Sequence, residues 1–172
     1  GTPSIQGQGK YFIDAGHSTT IYNGECVKIS SGYVVGGNGS AANIVGVLNG
    51  IFYNDASTLK PTFANFYKAT ITPANSEDTV AFVMDDPFQQ YVVSSDAART
   101  QAQFLATYDM NSSAGSDTTG KSSSTLDTSV TDANGKQFRL IRSAEDPENE
   151  DITAAFFSGI VVSNTNSFNG HN

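Results

Sequence analysis

The hydrophobic positions of this chain fall in short runs separated by turn-forming residues. Tyr11–Ile13, Cys26–Ile29, Tyr33–Val35, Ile44–Leu48, Ile51–Tyr53, Val80–Met84, Tyr91–Val93 and Gly159–Ser163 are rich in β-branched or aromatic side chains and read as strands. Gln137-Phe138-Arg139-Leu140 alternates polar with apolar, which places Phe138 and Leu140 on one face. Asn-Gly pairs at 23–24, 38–39, 49–50, 134–135 and 169–170 tolerate positive φ and predict tight turns between antiparallel strands. Asp132–Lys136 reads as one such hairpin turn. A single helix is expected, over Asp96–Ala106 with Asp96 as its cap. Asn111–Thr125 is Ser, Thr and Gly with almost nothing apolar to bury, and is expected to be a mobile loop. The expected fold is all-β: one barrel or sandwich domain over 11–172 with long loops and at most one short helix. A flexible arm over 1–10 precedes it, with Ile5 its only sizeable apolar residue.

Charge and cysteine content narrow the function. The 172 residues carry 17 Asp and Glu against 9 Lys and Arg, a net charge of −8. That balance argues against binding nucleic acid or an anionic membrane through a basic face. Only 15% of residues are charged, below the usual share of about 25%, so Ser, Thr, Asn, Gln and Gly dominate the expected surface. Cys26 is the single cysteine, which leaves no intrachain disulfide and no cysteine-rich metal cage. The longest apolar runs, Ile44–Tyr53 and Ala154–Val162, fall short of the roughly 20 residues of a spanning helix.

The chemical signatures are poor. Gly115–Ser122 fits the phosphate-loop pattern G-x-x-x-x-G-K-[ST] letter for letter, but no buried strand precedes it and no helix-forming segment follows. Asp85 and Asp86 end an apolar run, yet adjacent strand residues point to opposite faces, so the pair reads as a turn rather than an acid–base couple. Glu145–Asp151 is acidic without the spacing of a calcium loop. His17 and His171 suggest neither a triad nor a zinc site, and Cys26 reads as a buried hydrophobe. The expectation is a protein with no enzymatic activity, no catalytic, metal or cofactor-binding residues, and no cofactor.

Several segments, taken in order, carry a resemblance. These are Ala15–Ile21, Asn23–Lys28, Ile44–Tyr53, Val80–Pro87, Thr119–Ser122 with Leu126-Asp127, and Glu148–Asp151. The chain resembles the head decoration (capsid cement) proteins of tailed bacteriophages, those of marine phages in particular. The resemblance implies a β-rich structural protein of the virion, on the outer surface of the expanded capsid. Its partners would be the major capsid protein and its own copies, a homotrimer ahead of a dimer, with no nucleic acid and no membrane. A recurrent Thr-Gly-Lys-Ser loop in such proteins would account for the false phosphate-loop match.

Phe52, Tyr53, Phe63, Phe66 and Tyr67 gather around the loop-like segment 55–62. Such aromatics either cover an open barrel end or anchor an interface. With Ile5 they are the candidate interface residues. The rival expectation is a head-fibre or receptor-binding β module that takes carbohydrate, against which stands the absence of Trp.

Overall fold

The computed structural model describes residues 7–39, 43–111, 115–127 and 135–168. Its strands are β1 (Gly9–Ile13), β2 (Cys26–Ser30), β3 (Tyr33–Gly36), β4 (Gly46–Asn54), β5 (Pro61–Ala64), β6 (Thr79–Met84), β7 (Gln90–Ser94), β8 (Thr107–Tyr108), β9 (Phe138–Ser143) and β10 (Ser158–Ser163). Every pairing between them is antiparallel. Helix among the described residues is limited to two 3-10 turns, Ala74–Ser76 and Gln101–Gln103. The all-β expectation therefore holds.

Two compact units divide the chain. Residues up to 37, 45–86 and 114–123 form the first, and residues 38–44, 87–113 and 124–172 the second. The first holds the sheet β1-β6-β4-β2-β3, with β5 added to β4. This sheet curls until β1 and β3 come close. Its inner face supplies Ile13, Val27, Val34, Leu48, Ile51, Ala81 and Val83, joined by Ile21, Val45 and Tyr67, all buried in one cluster. In β6 burial alternates strictly, with Thr79, Ala81 and Val83 in and Val80, Phe82 and Met84 out, as one solvated sheet face requires.

The second unit holds the sheet β7-β10-β9-β8. Tyr108, Phe138, Leu140, Phe157 and Val161 are buried there, together with Leu126. Leu126 bridges to both Ser95 and Met110.

Three local expectations need correction. Asn49-Gly50 is no turn: β4 runs straight through it, and the ladder to β6 slips there, pairing Leu48 with Val83 and Gly50 with Phe82. Asn49 is thus the extra, exposed residue of a β-bulge. The hairpin between β2 and β3 turns instead on Ser31-Gly32, both at positive φ (51° and 89°), the demand of a type I′ turn. The helix over Asp96–Ala106 is absent. Thr100 and Gln103 form a capping box, but Phe104 is extended and Leu105 has φ 67°, so the turn stops after three residues. Asp132–Asn134, the arm residues 1–6 and the Asn169-Gly170 pair lie outside the described residues, whereas Gly9 and Lys10 already belong to β1.

Candidate functional site

The bulge in β4 decides what the first unit shows to solvent. With strict alternation from the buried Leu48, Ile51 would point out and Phe52 in. The extra residue reverses the phase, so Ile51 joins the core and Phe52 faces outward. Registers then align Phe12 with Val80, Val80 with Phe52, and Phe52 with Phe63 across β1, β6, β4 and β5. Phe82, one same-face step from Val80 in β6, lies opposite Gly50. Gly50 carries no side chain, and Phe63 reaches across: its ring stacks on Phe82 at 6.4 Å and 15°, and lies 4.8 Å from Phe52. Phe63 is 73% exposed and Phe12 46%. Lys10 holds its ammonium 5.7 Å from the centre of the Phe12 ring.

Of the candidate interface residues, Phe52 and Phe63 therefore belong to this outward aromatic face. Tyr53 packs against the core instead. Tyr67 is a correction: only 1% of it is exposed, and its hydroxyl donates to the carbonyl of His17 at 2.8 Å, so it presents no surface. Phe66 stacks on Tyr22 at 5.7 Å and 6°. Ile5 lies outside the described residues. Sequence reading missed Phe12 and Phe82: period-2 alternation in β1 and β6 puts them on the outward face, and strand register sets them near Phe52.

The phosphate-loop pattern has a different use. Gly115 and Gly120 each face an aromatic ring: a Cβ on Gly115 would strike Tyr22 and the Lys121 carbonyl, and one on Gly120 would strike Phe66 and Asn65. The loop closes over the Tyr22–Phe66 pair and is pinned by Asn23 N–H to Gly120 O (2.9 Å) and Ser122 N–H to Asn23 O (2.8 Å). Asp117 accepts the Tyr22 hydroxyl at 2.8 Å and pairs with Lys68 at 3.1 Å. Those two donors hold its carboxyl below the usual carboxylate range, while the same bond raises the Tyr22 hydroxyl. The glycine spacing serves ring packing, and 115–123 is tied down rather than mobile.

The other reactive side chains are occupied structurally. Asp85 accepts from the Tyr11 hydroxyl at 2.8 Å, and burial together with that bond pushes the Tyr11 hydroxyl well above its ordinary value. Asp86 is exposed. His17 lies against Tyr67, its Nε2 buried without a hydrogen-bond partner, and burial lowers its pKa. Cys26 is buried. Among the described residues no three His, Cys, Asp or Glu side chains gather as a metal site requires. No helix among them is long and apolar enough to cross a membrane.

The second unit also exposes large apolar side chains: Phe88 (82%), Val92 (69%), Phe156 (59%) and Leu105 (58%). Leu105 and Phe156 sit at positive φ, 67° and 66°, where a bulky residue is strained. Comparison with protein-family models, with curated proteins and with solved structures finds no match for this chain.

Proposed function

We propose that this chain is a structural decoration protein, binding the outside of an expanded phage head and cementing neighbouring capsomers. The observation that carries the reading is that both units hold large apolar side chains in solvent, the aromatic face in the first and Phe88, Val92, Leu105 and Phe156 in the second. Contiguous exposed apolar surface marks interaction sites, and a bridging protein needs more than one. Leu105 and Phe156 strengthen the point, because they are exposed at positive φ, and strained backbone of this kind clusters at functional sites.

The mechanism is avidity. Each docking contact is weak, but repetition around a shell multiplies it, and binding only the expanded lattice stabilises that lattice by mass action. The formal charge of −8 leaves decorated particles mutually repulsive. The protein acts as a homo-oligomer with the major capsid protein as its partner, and the reading assigns it no catalytic role.

The test is co-sedimentation of the purified chain with expanded heads and with unexpanded proheads of the phage that encodes it. Saturable binding to expanded heads alone, at a fixed ratio to capsid subunits, is expected. Absence of binding to both particles would overturn the reading and turn attention to carbohydrate ligands.

A further inference from the structure

We infer that the aromatic face of the first unit is a self-association surface, on which a second copy of this chain packs face to face about a two-fold axis. The face is built from Phe12, Val80, Phe52 and Phe63 in one row across four strands, with Lys10 and Phe82 in the next. On the opposite side of the aromatic row stands Asp78, directly before Thr79 at the start of β6. Its carboxylate accepts from the Ala15 N–H at 3.2 Å and from the Tyr33 hydroxyl. One end of the face is therefore cationic, the other anionic, and the middle apolar.

That arrangement is complementary to itself. A two-fold axis along the aromatic row lays Phe12 on Phe12 and Phe63 on Phe63, and reverses strand direction. Lys10 of each copy then comes over the acidic end of the other, as an isologous contact demands. Lys10 is free to serve: it is exposed, its neighbour is the Phe12 ring, and it has no ion-pair partner among the described residues. No carboxylate stands within the two aromatic rows, so a chain of net charge −8 meets its copy where like-charge repulsion is least. The stacked Phe63–Phe82 pair is already assembled, so little side-chain entropy remains to be lost on docking.

Size fixes the strength. Four strands about 4.8 Å apart and three same-face positions about 6.7 Å apart span roughly 19 by 20 Å. That is about half of one partner's share in a standard stable interface, so the pair is weak in free solution and is reinforced on a shell by avidity. The inference rests on the decoration reading in one respect, that the apolar residues of the second unit are left to meet the shell. The unit that decorates is then a pair rather than a trimer.

Sedimentation equilibrium of the full chain, from micromolar to millimolar, tests the contact without any particle. A concentration-dependent monomer–dimer equilibrium is expected, weakened roughly tenfold or more by Phe63→Ser, the size of an aromatic anchor. Lys10→Glu should weaken it too, and Asp78→Lys combined with Lys10→Glu should restore it. Circular dichroism confirms that each variant is folded; should Asp78→Lys unfold the 14–16 turn, Phe63→Ser and Lys10→Glu carry the test alone. A chain monomeric at millimolar concentration, or an oligomer indifferent to both single substitutions, overturns the inference and leaves shell binding untouched. A dimer that fails to bind expanded heads supports the inference and overturns the decoration reading.

Discussion

The two units hold themselves together by different means. The first has a continuous apolar cluster, and Thr79 is its one buried polar residue among those described. In the second, Ser95, Arg99, Thr107, Asp109, Gln137, Ser163 and Asn166 are all buried. Arg99 lies 4.7 Å from the centre of the Tyr108 ring and donates to the carbonyl of Asp127 at 2.9 Å, with a long 3.8 Å pairing to Asp96. Gln137 accepts from the Met110 N–H at 3.0 Å, and Asp109 takes Lys136 at 2.7 Å. An almost wholly apolar set fills the first interior, whereas in the second, side-chain bonds to loop carbonyls and amides add to the ladders of its sheet. A polar interior of this kind is costly to leave half satisfied.

The largest effect that would sharpen this contrast comes from inserting one alanine between Gly50 and Ile51. An added residue there, unlike deletion of the unpaired Asn49, turns Ile51 outward and Phe52 inward along the rest of β4, and loss of cooperative unfolding is expected. Next come two truncations read by denaturant unfolding. Leu48→Ala, at a fully buried core position of the first unit, should cost about 3–4 kcal/mol. Arg99→Ala should cost about 2–3 kcal/mol, because two loop carbonyls lose their donor and Asp96 its neighbouring cation. Arg99→Lys should recover little of that loss, since an ammonium cannot span those acceptors as a guanidinium does. Full recovery by lysine would contradict the polar-interior account.

A smaller step is Gly115→Ala, whose methyl would overlap Tyr22 and the Lys121 carbonyl, at about 1–3 kcal/mol. The same change should leave nucleotide affinity absent before and after, as expected if the glycine serves a ring and not a phosphate.

The mildest effects are pH-dependent and opposite in sign. Burial lowers the His17 pKa from its ordinary 6.5, so the folded chain holds fewer protons there than the unfolded one. Its contribution is intact above pH 6.5 and is lost as pH falls through the lowered value. Burial raises Glu25 above 4.5, so its contribution is present below pH 4.5 and is lost as pH rises through the raised value. His17→Asn should flatten the acid side of the stability profile, and Glu25→Gln the region just above pH 4.5. Thermal melts across pH 4–8 check both.

How much of this was legible in the sequence follows the same divide. The longer strands of both sheets lie where β-branched and aromatic runs place them, because local preference and burial agree there, whereas the short β5 and β8 fall outside those runs. Asn49-Gly50 misled because a bulge and a hairpin turn ask for the same residues, and only pairing with β6 separates them. The short helix failed for a tertiary reason: the Arg99 N–H is drawn to the Ile152 carbonyl at 2.6 Å, and the Leu105 N–H to Leu140 at 2.7 Å. Phe52 and Phe63 were found by their clustering in sequence. Their partners Phe12 and Phe82 sit 40 and 19 residues away from Phe52 and Phe63 respectively, and only register brings them alongside. The tied-down 115–123 loop was illegible because its anchors are Tyr22, Asn23 and Lys68, far upstream.

The central claim, cementing by apolar surfaces of both units, is tested most directly by the rupture temperature of expanded heads. Calorimetry would compare bare heads, heads saturated with the chain, and heads carrying Phe156→Ser or Phe63→Ser. Decoration is expected to raise the rupture temperature, with the gain reduced by either substitution. Saturated binding that leaves the rupture temperature unchanged would contradict the claim.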